Sequence, residues 1–120
     1  MTTIIDEQKW QSFISHVANG NSEFIVELID EYLVQLNDTL QQIEQAIAIE
    51  DFAQVRSCAH MLKGSSPSLG GVQLGELFAK LEAAAKLSDL PQLRQYFSKV
   101  EIMAIAVRED LQERQHNMVK

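Results

Sequence analysis

The sequence carries a single cysteine, Cys58, in 120 residues. That excludes an internal disulfide framework and any cysteine-rich zinc site, and it suits a reducing cytosol. Two prolines and five glycines are too few for the frequent tight turns of an all-β chain. No apolar run approaches the roughly 20 residues that span a bilayer. The opening stretch MTTIIDEQKW has neither the basic start nor the apolar segment of a signal peptide. Positive charge is also scarce: 10 Lys and Arg against 17 Asp and Glu give a formal net charge of -7. An acidic chain of this kind suits neither nucleic acid nor an anionic membrane surface, both of which attract basic patches. Together these absences predict a cytoplasmic protein, and Met1 with a clean C-terminus favours a chain that stands alone.

What is present is ordinary globular composition, 46% hydrophobic and 22% charged, at the length of one domain and without an internal repeat. The apolar spacing is helical nearly throughout. It predicts one domain over 1–120, with helices at about 6–18, 23–49, 52–66, 71–87 and 90–113. Asp6 is a plausible N-cap for Trp10, Phe13, Ile14 and Val17. Asn19-Gly20-Asn21-Ser22 breaks that pattern and offers the next cap. A long stripe follows, formed by Ile25, Leu28, Tyr32, Leu36, Leu40, Ile43 and Ile47. Asp51 and Gln54 have capping-box spacing, opening a stripe of Phe52, Val55, Ala59, Leu62, Ser66 and Leu69. Pro67 is expected to stop that helix near Ser66. Gly70-Gly71 links to Leu74, Leu77, Phe78, Leu81 and Ala85. Ser88 or Asp89, with Pro91 behind it, starts the last stripe: Leu93, Phe97, Val100, Met103, Val107 and Leu111. The polar tail beyond is expected to fray. Five helices on short loops imply an all-α fold, an antiparallel up-down-up-down four-helix bundle with the N-terminal helix as a lid.

One stretch is not explained by packing: Ala59-His60-Met61-Leu62-Lys63-Gly64-Ser65-Ser66. With Ala59 and Leu62 inward, His60 lies about 100° further round the helix, at the flank of the buried stripe. Lys63 and Gly64 share its side at i+3 and i+4. A glycine in a helix interior costs roughly 1 kcal/mol against alanine, so the absent side chain clears space beside the imidazole. A neutral imidazole is nucleophilic near pH 7, its unperturbed pKa being about 6.5, and it can attack an acyl phosphate to give phosphohistidine. Phosphoryl transfer needs in-line positioning and neutralised oxygens. Lys63 can supply a cation, and Ser65 or Ser66 hydroxyl donors. No Gly-rich phosphate loop, Walker lysine or acidic metal cluster accompanies the histidine, so a kinase is not indicated. From Phe52 to Lys80 the charges are Arg56, Lys63, Lys80 and Glu76, a basic island suited to an anionic group.

The run AHMLKGSSPSLGG resembles the signature of the histidine-containing phosphotransfer (HPt) domain, in which a histidine is followed by x-Leu-Lys-Gly-Ser-x-x-x-Leu-Gly. His60, Leu62, Lys63, Gly64, Ser65, Leu69 and Gly70 match, the later Leu81-Glu82 is also similar, and the helix order fits over essentially the whole chain. Pro67 and Gly71 depart from the pattern, outside the His-Lys-Gly core. The resemblance implies a non-enzymatic phosphocarrier of a two-component phosphorelay. His60 would take a phosphoryl group from a phospho-aspartyl receiver domain, of a response regulator or a hybrid kinase, and pass it to another receiver. Lys63 would assist the phosphate and Gly64 would permit docking. No cofactor is expected on this chain, Mg²⁺ coming with the receiver, and a monomer is the default.

Beyond that core, Arg56, Met61, Ser65, Pro67, Glu82 and Lys86 are candidates for contacting the partner, with Val72 beside Met61 and Pro67 on an apolar rim. Glu82 and Lys86 could face His60 across a groove, although one turn apart they are expected to form an ordinary i,i+4 ion pair. Cys58 reads as a small helix residue without a redox role. His16 and His116 look incidental. Glu113-Arg114-Gln115-His116 has Glu-x-x-His spacing but lacks the second copy and further carboxylates of a di-iron bundle, so no metal is expected. A helical adaptor that binds receivers without exchanging phosphate is the alternative of another class; its binding would survive loss of His60.

Overall fold

A computed structural model describes residues 4–17 and 19–118. Helix α1 (Glu7–Ser12) runs into a π-helical turn (Phe13–Val17), and α2 (Ser22–Ala48), α3 (Phe52–Ser68), α4 (Val72–Lys86) and α5 (Leu90–Met118) follow. No strand occurs among the described residues, and no helix is long and apolar enough to cross a membrane. Val17's side chain and Ala18 lie outside the described residues.

The starts are set by short acidic or amide side chains that accept from otherwise unpaired backbone N–H groups. Asp6 accepts from Lys9 at 3.0 Å, Asn21 from Phe24 at 3.0 Å, Asp51 from Gln54 at 3.1 Å and Asp89 from Gln92 at 3.2 Å. Asp89, rather than Ser88, therefore opens α5. Only half of the expected capping box is made, since the Gln54 side chain turns to Gln42 and Cys58 instead.

The ends share one device. After α2, the N–H of Glu50 bonds Ile47 O and that of Asp51 bonds Ala46 O. Gly70 and Gly71 repeat the pair on Pro67 and Ser66, and Ser88 and Asp89 repeat it on Ala85 and Ala84. Each is a Schellman end with its turning residue at positive φ: Glu50 at 55°, Gly70 at 100° and Ser88 at 52°. Only the middle one needs glycine for room as well as for φ, because a Cβ there would lie 2.7 Å from Ile5 Cγ2.

Helices α2 to α5 bury the predicted stripes in one core, with Ile29, Leu36, Ile43, Val55, Leu62, Phe78, Leu81, Leu93 and Val100 at its centre. Ser66 is inside too, its hydroxyl 2.6 Å from the buried Tyr32 hydroxyl, whose pKa burial pushes up to about 12. Helices α3 and α4 approach closely at Gly75, where a Cβ would meet the Pro67 ring at 2.6 Å. That contact explains how α3 runs through Pro67 to Ser68, two residues past the expected stop. The pre-proline penalty on Ser66 is outweighed by the ring's seat on Gly75 and by the Schellman end that follows. Nor does α5 fray at 113. Arg114 bonds Asp110 and Glu7 and sits 5.1 Å over the Trp10 ring, while Gln115 bonds Val26 O and Asp30. These side chains fasten the polar tail to α1 and α2, so the helix continues to Met118.

Candidate functional site

Beneath the site, Val55, Cys58, Ala59 and Leu62 are buried and fix the rotation of α3. His60 is thereby turned outward, its side chain 68% exposed. From the antiparallel α4, Glu82 reaches across to two residues of α3. One carboxylate oxygen lies 2.8 Å from His60 Nδ1 and the other 2.7 Å from Lys63 Nζ. Lys63's hydrogen bond is the main influence holding the Glu82 carboxyl below the usual carboxylate range; burial opposes it and His60 adds to it. Because an ionised carboxylate can only accept, Nδ1 must carry the ring proton, which leaves Nε2 as the nitrogen with a free lone pair.

An open groove of about 570 Å³ adjoins the imidazole, with Ala53, Arg56 and Ser57 contributed by α3 and Lys86 by α4. Three cations, Arg56, Lys63 and Lys86, therefore surround one carboxylate in a chain of net charge -7. Lys63 is ion-paired with Glu82; Arg56 and Lys86 have no ion pair among the described residues. One turn beyond His60, a Cβ built on Gly64 meets nothing within 4 Å. Internal packing thus gives no reason for a glycine there.

The family model of the Hpt domain matches residues 27–116. The chain belongs to the Hpt family. Its fold is that of a solved relative, histidine-containing phosphotransfer protein B (HptB) from Pseudomonas aeruginosa PAO1, at a TM-score of 0.87 over 98% of each chain and 22% sequence identity. A comparison with curated proteins finds no match. Hpt domains are phosphocarriers rather than kinases, and they work with receiver domains in phosphorelays.

Within this Hpt bundle the predicted residues separate into those at the histidine and those elsewhere. Arg56, Lys63, Glu82 and Lys86 gather with His60. The expected Glu82–Lys86 pair is absent, because Glu82 is committed to α3. Met61 is exposed toward α2, its sulfur 3.7 Å from Gln35 Nε2. Ser65 and Ser66 offer nothing to the groove as they stand. The Ser65 hydroxyl is buried without a hydrogen-bond partner and Ser66 is bonded to Tyr32. Pro67 packs on Gly75 and lines a different groove, with Lys9, Ser12 and His16 at the α1 end, and Val72 is half-buried. Ala53 and Ser57 were not singled out by sequence. Their signal is positional: small residues seven and three before His60 on one helical face. Among the described residues no group of three or more His, Cys, Asp and Glu is placed to hold a metal.

Proposed function

We propose that His60 is the phosphoacceptor of a two-component phosphorelay. In this reading Nε2 attacks the phospho-aspartate of one receiver domain and later yields the group to a second receiver. The observation that carries it is the pairing of an exposed imidazole with an inward carboxylate: Glu82 holds Nδ1–H at 2.8 Å, so the nucleophilic nitrogen faces a docking partner. Lys63, next to the ring and bonded to the same carboxylate, shifts to a phosphoryl oxygen when one arrives. Arg56 and Lys86 draw the anionic partner to the groove, Met61 adds apolar contact, and Gly64 admits the receiver's surface. One face serves both partners in turn, so the interface is modest in area and transient. The Mg²⁺ and the acyl phosphate belong to the receiver, and the carrier works as a cytosolic monomer.

The test is transfer of radiolabel from a phospho-receiver to wild type and to His60→Gln. Acid-labile, alkali-stable label on wild type and none on the variant is the expected outcome. Wild type that stays unlabelled with several receivers it binds would sink the proposal and favour a non-catalytic adaptor.

A further inference from the structure

The hydrogen bond from His60 to Glu82 bears on release of the phosphoryl group as well as its capture; this inference rests on the carrier reading above. When Nε2 attacks an acyl phosphate, an N–P bond forms and the aspartate carboxylate leaves with the electron pair of the broken P–O bond. The ring becomes an N-phosphoimidazolium that still carries Nδ1–H. Onward transfer is the reverse. A carboxylate oxygen of the next receiver bonds phosphorus, the N–P pair returns to Nε2, and neutral imidazole leaves. If the phosphorylated ring lost its Nδ1 proton in between, the leaving group would be imidazolate, a far stronger base and a poor leaving group.

The surroundings press toward that loss. Arg56 and Lys63 from α3 and Lys86 from α4 line the same groove, and three cations disfavour a fourth. His60 is also largely open to water. Against them stand the charge of the phosphoryl group, to which Lys63 turns, and one fixed carboxylate, Glu82, which is only 16% exposed and lies 2.8 Å from Nδ1. We propose that Glu82 is a positioning residue that retains the Nδ1 proton on the phosphorylated ring. The group is then accepted and released without proton exchange with solvent, and the carrier stays competent to donate above neutral pH.

The experiment phosphorylates wild type and Glu82→Gln from a phospho-receiver, removes the donor, and follows transfer to a second receiver between about pH 6.5 and about pH 8.5, where an imidazole proton is ordinarily lost. The rate of the variant relative to wild type is expected to fall with rising pH, by about tenfold per pH unit above its midpoint. The glutamine carbonyl can accept the hydrogen bond but has no charge with which to hold the proton. In the phosphorylated state Lys63 turns to the phosphoryl oxygens in wild type and variant alike, so its charge enters both pH profiles equally. A relative rate independent of pH overturns the inference and leaves the carrier reading standing; wild type that takes up no label overturns both. If the variant accepts too little label for kinetics, the ¹⁵N shifts of the phosphorylated wild-type ring decide. Protonated Nδ1 at the alkaline end supports the proposal and bare Nδ1 overturns it.

Discussion

Two ionic triads join helices in this bundle, and their charges are mirror images. At one end, one carboxylate, Glu82, is shared by His60 and Lys63. At the other, one cation, Arg114, is shared by Glu7 and Asp110, with Trp10 beneath it. The Arg114 triad consists of groups that keep their charge at neutral pH, closed over an aromatic ring. It can only hold α1 against α5. The His60 triad contains the one type of side chain that ordinarily titrates near neutrality, and it opens on a basic groove. Similar surface electrostatics thus yields a fastening in one place and, in the proposed reading, a reactive site in the other. The difference lies in which member is shared and in what the free side faces.

Substitutions should separate the two triads. His60→Gln is expected to abolish phosphoryl acceptance while the denaturant midpoint stays where it is, because an exposed side chain contributes within about 0.5 kcal/mol. Lys63→Met removes a charge-assisted hydrogen bond of about 1.5–3 kcal/mol from the phosphoryl oxygens, hence a roughly 10–100-fold slower acceptance in single-turnover transfer. Arg114→Ala reverses the pattern. It should cost about 1–2 kcal/mol in urea unfolding, from lost hydrogen bonds and the Trp10 contact, with transfer at the wild-type rate. Gly64→Ala should raise stability by up to about 1 kcal/mol, since its Cβ enters open space, yet slow transfer by meeting the docked receiver.

The smallest expected effect is on acid stability. The Glu7 carboxyl is held below its ordinary value chiefly by the hydrogen bond from Arg114, and that of Glu82 chiefly by Lys63. A carboxyl whose folded pKa is depressed adds stability above its unfolded pKa and loses it as pH falls through the folded value. Stability should therefore decline below the ordinary carboxylate range. Arg114→Ala should flatten one part of that decline and Glu82→Gln the other, with Glu7's part also weakened by salt because it is exposed. An unchanged pH slope in either variant would break the comparison for that triad.

Caps, stripes and the outward turn of His60 were legible because each is local: Asp51 before Phe52, or Leu62 two after His60, announces itself along one helix. Glu82 shows where that legibility stops. Helical spacing reports Lys86 as its neighbour, whereas the partners it has lie on the antiparallel α3, and no period in one helix encodes the rotation of another. The two further residues of α3 have a related reason. The local cost of Pro67 is visible, but the side-chain-free seat at Gly75 that offsets it is not. The tail of α5 looked frayed because docking by Arg114 and Gln115 is polar and leaves no apolar stripe.

The anchoring of α1 also constrains how the molecule is made. Its backbone is tied at Asp6 to Gly70 O, and Glu7 meets Arg114 across 107 residues of chain. A ribosome adds roughly 5–20 residues per second, so on the order of ten seconds separate the synthesis of the two partners. Of these two ties, the one to Gly70 can form once α3 is made, whereas the one to Arg114 waits for α5. The Trp10 face that Arg114 covers therefore stays open until α5 is made.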